Sequence, residues 1–382
     1  MFYMNKQRLV KTFTELVQVA SVSREEGKFV QLLSDKLTTL GLTVTEDDSM
    51  KTTKLGSNNL IAKYTGNLAK EPIFFSCHVD TVEPGEGIEV IEKNDILYSK
   101  GETILAADNK AGIAILLEMI ETILENNIET GPIELVFSPG EEIGLIGAAA
   151  LDMALFDSKF GYVFDNSGPA GNGIVASPFL YMFDIDVTGK AAHAGLEPEK
   201  GISAFSIAQT ALEGIPFGRL DEHTTSNIGK MSGGAGINVV MEHLMIQGEV
   251  RSISDEKARD FLTTLEQSFK HATDLHGGDF TLSVDQKATG FHLADDSDPV
   301  RIAKAATAKI GRIFAPEISG GGSDANIFNA QGKPTLNLSI GYEEIHTVNE
   351  YIPIAEMLKS VELALAIVNE MPDSASSSGS VK

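Results

Sequence analysis

Five short segments of this chain place a histidine or a carboxylate where an apolar run ends. His78-Val79-Asp80 follows Ile73–Cys77 (IFFSC). Residues i and i+2 of a strand share one face. His78 could therefore bind a metal while Asp80 holds its other ring nitrogen. The commoner reading of such a histidine is a satisfied one near a turn. Asp108 stands in GETILAADNKAG, just before a helical pattern, where a lone Asp is more often an N-cap. Glu141-Glu142 in FSPGEEIG sets two like charges side by side. That cost is justified if one binds a cation and the other takes a proton from water. In isolation the pair reads as a solvated acidic loop. Asp165 closes the apolar run of YVFDNSG, and His346 lies in GYEEIHTVNEY. Together the segments supply two histidines, three carboxylates and one spare carboxylate. That set suits two zinc ions about 3.5–4 Å apart that share a bridging carboxylate.

Other chemistries fit less well. H-E-x-x-H, G-x-S-x-G, G-x-x-x-x-G-K-[ST] and G-x-G-x-x-G are all absent. Cys77 adjoins His78 but points to the opposite face of its strand, where core packing is its role.

Residues from separate segments converge most readily beyond the carboxyl ends of the strands of an open α/β sheet. The patterning supplies such a sheet. Residues 5–41 read as helical, with Gly41 at the end. Asn59–Tyr64, Ile73–Cys77, Ile133–Ser138 and Tyr162–Asp165 read as strands, and Ala111–Asn126 as a helix with an apolar face. This alternation predicts an α/β fold with a mostly parallel sheet flanked by helices. The texture changes near residue 176. Phe179–Val187, Ile228–Gly229, Asn238–Met241, Met245–Val250 and Phe280–Val284 read as strands, and Ile202–Leu212 and Asp255–His271 as helices. That block reads as a smaller α+β insertion with an antiparallel sheet. Helix–strand alternation resumes with Asp298–Ile310, Pro334–Ile340 and Ile354–Asn369. The expected division is 1–175 with 293–372 as a catalytic domain, 176–292 as a second domain, and 373–382 as a Ser/Gly-rich disordered tail.

The 382 residues suggest two or three domains at roughly 150 residues each. A hydrophobic share of 42% and a charged share of 22% are ordinary for a folded chain. The formal net charge is −24, from 30 Lys+Arg against 54 Asp+Glu. A surface this acidic repels phosphates and argues against nucleic-acid and anionic-membrane partners. Cys77 is the only cysteine, which excludes an internal disulfide framework and a cysteine-rich zinc site. The opening MFYMNKQRLVKTF lacks the apolar core of a signal peptide, and a cytoplasmic location is expected.

In order and spacing, SCHVDTV, ETILAADNKAG, SPGEEIGLIGA, VFDNSG and IHTVNEY resemble the M20 metallopeptidases, most of all the peptidase T-like branch through ILAADNKAG. The resemblance runs from the first helix to about residue 370. It implies that Asp108 bridges two Zn²⁺, that His78 and Asp165 complete one site, and that Glu142 and His346 complete the other. Mn²⁺ or Co²⁺ are the possible substitutes. It implies that Glu141 is the general base and Asp80 the residue that orients His78, with a cis peptide bond after Asp108. The implied reaction is aminopeptidase cleavage of short peptides, tripeptides in particular, by a metal-bridging hydroxide. The implied role of 176–292 is that of a lid that also forms a homodimer. There His223 resembles a histidine that stabilises the oxyanion. Asn238 and Arg251 match substrate-contacting positions, and Gly320-Gly321-Gly322-Ser323 resembles a loop that meets the substrate's backbone or carboxylate. For Arg251 the commoner reading is a salt bridge on a strand. His193 in GKAAHAG ranks below His223, and His243, His271, His276 and His292 read as surface residues. Within the superfamily the alternative is an N-acyl-amino-acid amidohydrolase or carboxypeptidase. Outside it stand a catalytically silent metal- or peptide-binding protein and an acidic scaffold.

Overall fold

The computed structural model describes residues 4–374, and the chain in it divides into two compact units. One comprises the residues up to Val175, Leu293–Ile318 and those from Ser323 onward. The other comprises Ala176–His292 and Ser319–Gly322.

The first unit carries a nine-stranded mixed sheet. Seven of its strands run in the order Thr43–Glu46, Leu60–Tyr64, Ile133–Ser138, Ile73–His78, Gly161–Asn166, Thr335–Ser339, Asn172–Ser177. The four central strands, from Ile133–Ser138 to Thr335–Ser339, pair in parallel, and the flanking pairs are antiparallel. All six residues of Ile73–His78 and of Ile133–Ser138 are buried. This is why both segments are continuous apolar runs rather than alternating ones. The two faces of the central strand meet different helices. Phe74 packs on Phe328 of helix Asp324–Ala330, with ring centroids 5.0 Å apart. Cys77 is fully buried on the other face, and a Cβ on Gly112 of helix Ala107–Asn126 would lie 2.7 Å from its sulfur. The parallel strands deliver His78, Ser138, Asp165 and Ser339 to one edge of the sheet.

The helix expected over residues 5–41 is two helices, Lys6–Val17 and Gly27–Thr39. Between them Ser21-Val22-Ser23 leaves the helical path. Serine side chains compete for the backbone there, and a β-branched residue separates them. The segment runs beside the residues after His78: Val22 bridges Thr81, and the Ser21 hydroxyl donates to the Val79 carbonyl at 2.7 Å. At the other end, Ser374 N–H donates to the Ala69 carbonyl at 2.9 Å and Asp373 bridges Lys70. These two residues of the expected disordered tail are thus paired, and the rest of the tail lies outside the described residues.

The second unit is a five-stranded antiparallel sheet in the order Gly218–Arg219, Thr224–Gly233, His243–Ser252, Phe179–Thr188, Asp279–Ala288. Helices Ala204–Leu212 and Asp255–His276 cover one face. Phe183, Ile185 and Val187 alternate inward along their strand and share a core with Ile207, Leu265 and Phe269. The strand expected at Asn238–Met241 is absent. The segment forms a loop held by Val240 N–H on the Ala192 carbonyl and by a bridge from Val239 to His193. Gly234 and Gly236 just before it break the strand pattern, Gly234 at φ 81°, and Asn238 and Val239 are exposed. Among the described residues no helix is long and apolar enough to cross a membrane.

Candidate metal centre

The five segments meet at the carboxyl edge of the first unit's sheet. His78 closes its strand with its imidazole fully buried. His78 Nε2 lies 2.9 Å from Asp108 Oδ1 and 3.6 Å from Asp165 Oδ1. His346 Nε2 lies 3.2 Å from Asp108 Oδ2 and 3.0 Å from Glu142. Asp108 therefore turns one carboxylate oxygen to each histidine. His78, Asp108 and Asp165 form one group that could hold an ion, and Asp108, Glu142 and His346 form a second. A third grouping of His78, Glu141 and Glu142 brings Glu141 within the same reach.

The local backbone explains each placement. Asp108 does not cap its helix. Its φ and ψ of −82° and 102° are non-helical, the Asp108–Asn109 peptide bond is cis, and Ala106 before it is left-handed at φ 60°. The non-helical dihedrals of Asp108 and the left-handed Ala106 turn the Asp108 side chain away from the helix start and toward the histidines. His346 also sits at positive φ, 61°, in the loop between Thr335–Ser339 and Tyr351–Pro353. Asp80 works through both its backbone and its side chain. Its carbonyl lies 2.9 Å from His78 Nδ1, closer than its carboxylate at 3.4 Å. The carboxylate accepts N–H bonds from Glu141 at 2.9 Å and Glu142 at 3.2 Å, and a hydroxyl bond from Ser23 at 2.6 Å. The Glu141-Glu142 turn is thus tied to the histidine strand and is not a solvated acidic loop.

Burial and like charge dominate the electrostatics. Desolvation, with Asp108 close by, raises the Glu142 carboxyl to about 7 and that of Asp165 to about 6, His78 partly opposing both. Desolvation also lifts Glu141 well above the usual carboxylate range, with Asp165 and Asp324 adding to the effect. Asp108 is held low despite its burial, by its bonds to His346 and His78. His346 rises to about 9 through its hydrogen bond to Asp108 and the charge of Glu142. Among the described residues no lysine or arginine pairs with any of these carboxylates; their only basic partners are the two histidines. Each group offers imidazole nitrogen and carboxylate oxygen, with all donor atoms within 4.8 Å of one another. That donor set fits Zn²⁺, Mn²⁺ or Co²⁺. A divalent cation would also neutralise charges that the fold otherwise buries at a cost.

Several residues around the centre carry no local sequence signal. The Tyr342 hydroxyl donates to Asp165 Oδ1 at 2.9 Å. Asn337 accepts the Asp165 N–H at 3.1 Å and donates to its carbonyl at 2.8 Å. Ser23 holds Asp80, and Glu350 accepts three N–H bonds from the Asp108 turn. Each acts on a residue far away in sequence, so neither spacing nor periodicity marks it.

The remaining candidates lie in the second unit. His223 is partly exposed, with its N–H on Asp221. Asn238 is exposed in its loop. The Arg251 fork is engaged by Glu249, Nε to Oε1 at 2.9 Å and Nη2 to Oε2 at 3.1 Å. Gly320, Gly321 and Gly322 are exposed; Gly321 N–H donates to the Ser319 hydroxyl and its carbonyl accepts from Ser177. His193 is exposed and bridges Val239. His243, His271, His276 and His292 are exposed.

A mixed sheet that gathers paired histidine–carboxylate groups at its carboxyl edge, in a chain that also carries a separate α+β unit, is the architecture of a metal-dependent hydrolase. The chain belongs to peptidase family M20/M25/M40, whose family model matches residues 74–370. It is a peptidase. The uncharacterized Bacillus subtilis protein YqjE is 43% identical over 366 residues, covering 96% of this chain and 99% of that one. The crystal structure of the aminopeptidase PepT from Bacillus cereus superposes with a TM-score of 0.88 at 43% identity, covering 96% of this chain and 99% of that one. A tripeptidase structure from Staphylococcus aureus gives a TM-score of 0.81 at 38% identity, covering 96% and 98%.

Proposed function

We propose that this peptidase removes the N-terminal residue of short peptides, tripeptides in particular, with two divalent cations, zinc in the first place. The observation that carries the reading is Asp108, whose two carboxylate oxygens face two different histidines, each with a further carboxylate of its own. The names of the Bacillus cereus aminopeptidase and the Staphylococcus aureus tripeptidase support the choice of substrate.

Cations held by these groups would polarise the scissile carbonyl and acidify water. The protein supplies the rest. Glu141 stands next to Glu142, and burial raises its carboxyl above the usual carboxylate range, which makes it a stronger proton acceptor. It takes the proton of the attacking water and passes it to the leaving amine. Asp80 keeps His78 oriented and fixes the Glu141-Glu142 turn against it. Residues 1–175 with 293–372, apart from Ser319–Gly322, form the catalytic domain, and 176–292 form the lid and the contact of a homodimer. In the lid His223 stabilises the oxyanion and Asn238 contacts the substrate. Gly321, in exchange for the Ser319 hydroxyl, and Gly322 present backbone N–H groups to it. Arg251 binds a peptide carboxylate in exchange for Glu249. A cytoplasmic location fits the single buried thiol of Cys77.

The test is a product assay by mass spectrometry. Protein loaded with zinc, or stripped with chelator, is offered di-, tri- and tetrapeptides, an N-blocked tripeptide and an N-acetyl amino acid. The expected result is metal-dependent release of the N-terminal residue from tripeptides and none from the blocked peptide. Cleavage of the acyl amino acid, or release of the C-terminal residue, overturns the aminopeptidase reading. No turnover with both sites filled marks a silent binding protein.

A further inference from the structure

We propose that Glu350 is a positioning residue: it holds the turn that aims Asp108 at both histidines. This rests on the reading of the two groups around Asp108 as a metal centre. Glu350 is 1% exposed. Its Oε2 accepts the N–H groups of Leu105 and Ala106, each at 2.8 Å, and its Oε1 accepts the Asp108 N–H at 2.9 Å. Leu105 and Ala106 precede the helix Ala107–Asn126, and the Asp108 N–H is one of its first amides, which have no partner within the helix. Here the left-handed Ala106 turns them toward one point, and closely spaced N–H groups of this kind form an anion-binding concavity. The chain's own carboxylate fills it.

Glu350 is also anchored at its own end. It lies four residues after His346, and its N–H donates to the Thr347 carbonyl at 3.2 Å. The next residue, Tyr351, exchanges both backbone hydrogen bonds with Glu343, at 3.0 and 3.2 Å, which closes the His346 loop. One carboxylate therefore clamps the turn that carries Asp108 to the loop that carries His346. Those two residues belong to the same candidate group, and Asp108 belongs to both groups. Glutamine has the same shape but offers one accepting oxygen in place of two. Its NH₂ would face the buried N–H groups and leave at least one unsatisfied.

Chelator-stripped wild-type protein, Glu350→Gln and Asp108→Asn are titrated with Co²⁺ by calorimetry, then assayed on a tripeptide. The expected wild-type result is uptake of two cations. Glu350→Gln should bind them 10–100-fold more weakly, the range for losing a residue that orients a ligand. Its kcat should fall with KM unchanged. Co²⁺ affinity and kcat equal to wild type would overturn the role of Glu350 and leave the metal centre standing. A wild type that takes up no Co²⁺ would overturn the metal centre itself and this proposal with it. A second measurement needs no variant. Hydrogen exchange of the Leu105, Ala106 and Asp108 amides in metal-free wild type should already be slow, as in a helix interior. Exchange at open-loop rates until Co²⁺ is added would overturn the proposal, because the cation and not Glu350 would then order the turn.

Discussion

One added methyl group at Gly112 would press on the backs of three candidate ligands at once. A Cβ built there lies 2.3 Å from Asn109 Oδ1, 2.6 Å from the Phe164 carbonyl oxygen and 2.7 Å from Cys77 Sγ. Those three residues directly adjoin Asp108, Asp165 and His78. Ordinary contact needs 3.4 Å or more, so the neighbours must retreat by about 1 Å. None is free to swing aside. Asn109 and Cys77 are fully buried, and the Phe164 oxygen belongs to a strand within the sheet. Overpacking a core in this way typically costs about 1–3 kcal/mol. Alanine recovers about 1 kcal/mol of that through helix propensity. With three rigid neighbours the upper end applies, and Gly112→Ala should lose about 2 kcal/mol net. Denaturant unfolding in the presence of chelator measures this without any contribution from metal binding. A shift of about 1 Å in reacting groups also costs about 10²-fold in rate, so kcat should fall by roughly that factor in the metal-loaded variant. Unchanged or increased stability would mean that propensity outweighs packing and would refute the reasoning.

Other expectations rest on single contacts. Glu141→Ala should retain both cations by metal analysis while turnover falls about 10²–10⁴-fold; loss of a cation together with activity would make Glu141 a ligand. In the metal-free protein Glu142 near 7, Asp165 near 6 and His346 near 9 all lie above their ordinary 4.5, 3.8 and 6.5. The folded state then holds protons that the unfolded state gives up, so stability falls as pH rises from about 5 to 9. Asp108, shifted downward, acts the opposite way only below its ordinary 3.8. Cation uptake must expel those protons, and calorimetry in two buffers of different ionisation enthalpy should detect the release; proton-neutral binding at neutral pH would contradict it. Arg8 holds the buried Glu118 by two bonds, at 2.7 and 2.8 Å. Arg8→Ala leaves that carboxylate, among the described residues, with the Asn5 N–H and the Thr122 hydroxyl and should cost about 3 kcal/mol in urea unfolding. A loss under about 1 kcal/mol would show that the pair contributes little.

Much of this protein was legible along the chain, because its informative features are local. The buried strands Ile73–His78 and Ile133–Ser138 are continuous apolar runs, and a chain covered on both faces of a sheet must look that way. The inward and outward residues of Phe179–Thr188 alternate, and a half-covered antiparallel sheet requires that too. The candidate ligands stand where such runs stop. Taken one at a time, however, Asp108 looked like a cap and Glu141-Glu142 like a solvated loop. Local pattern favours those readings, and only convergence removes them.

The tertiary structure decided the rest. The break after Val17 arises because Ser21–Ser23 finds partners at Val79–Thr81, some 58 residues away, and local periodicity cannot report a distant partner. The same contact puts the Ser23 hydroxyl on Asp80. Tyr342 on Asp165 and Glu350 on the Asp108 turn are also contacts between segments far apart in sequence. Which side chains could do the chemistry, and which strands end beside them, was readable along the chain, since residue type and burial period are properties of short segments. The tertiary structure alone decided that Asp108 faces both histidines and that Glu350 holds it there, because side-chain direction at a loop depends on backbone dihedrals and on hydrogen bonds from the far side of the fold.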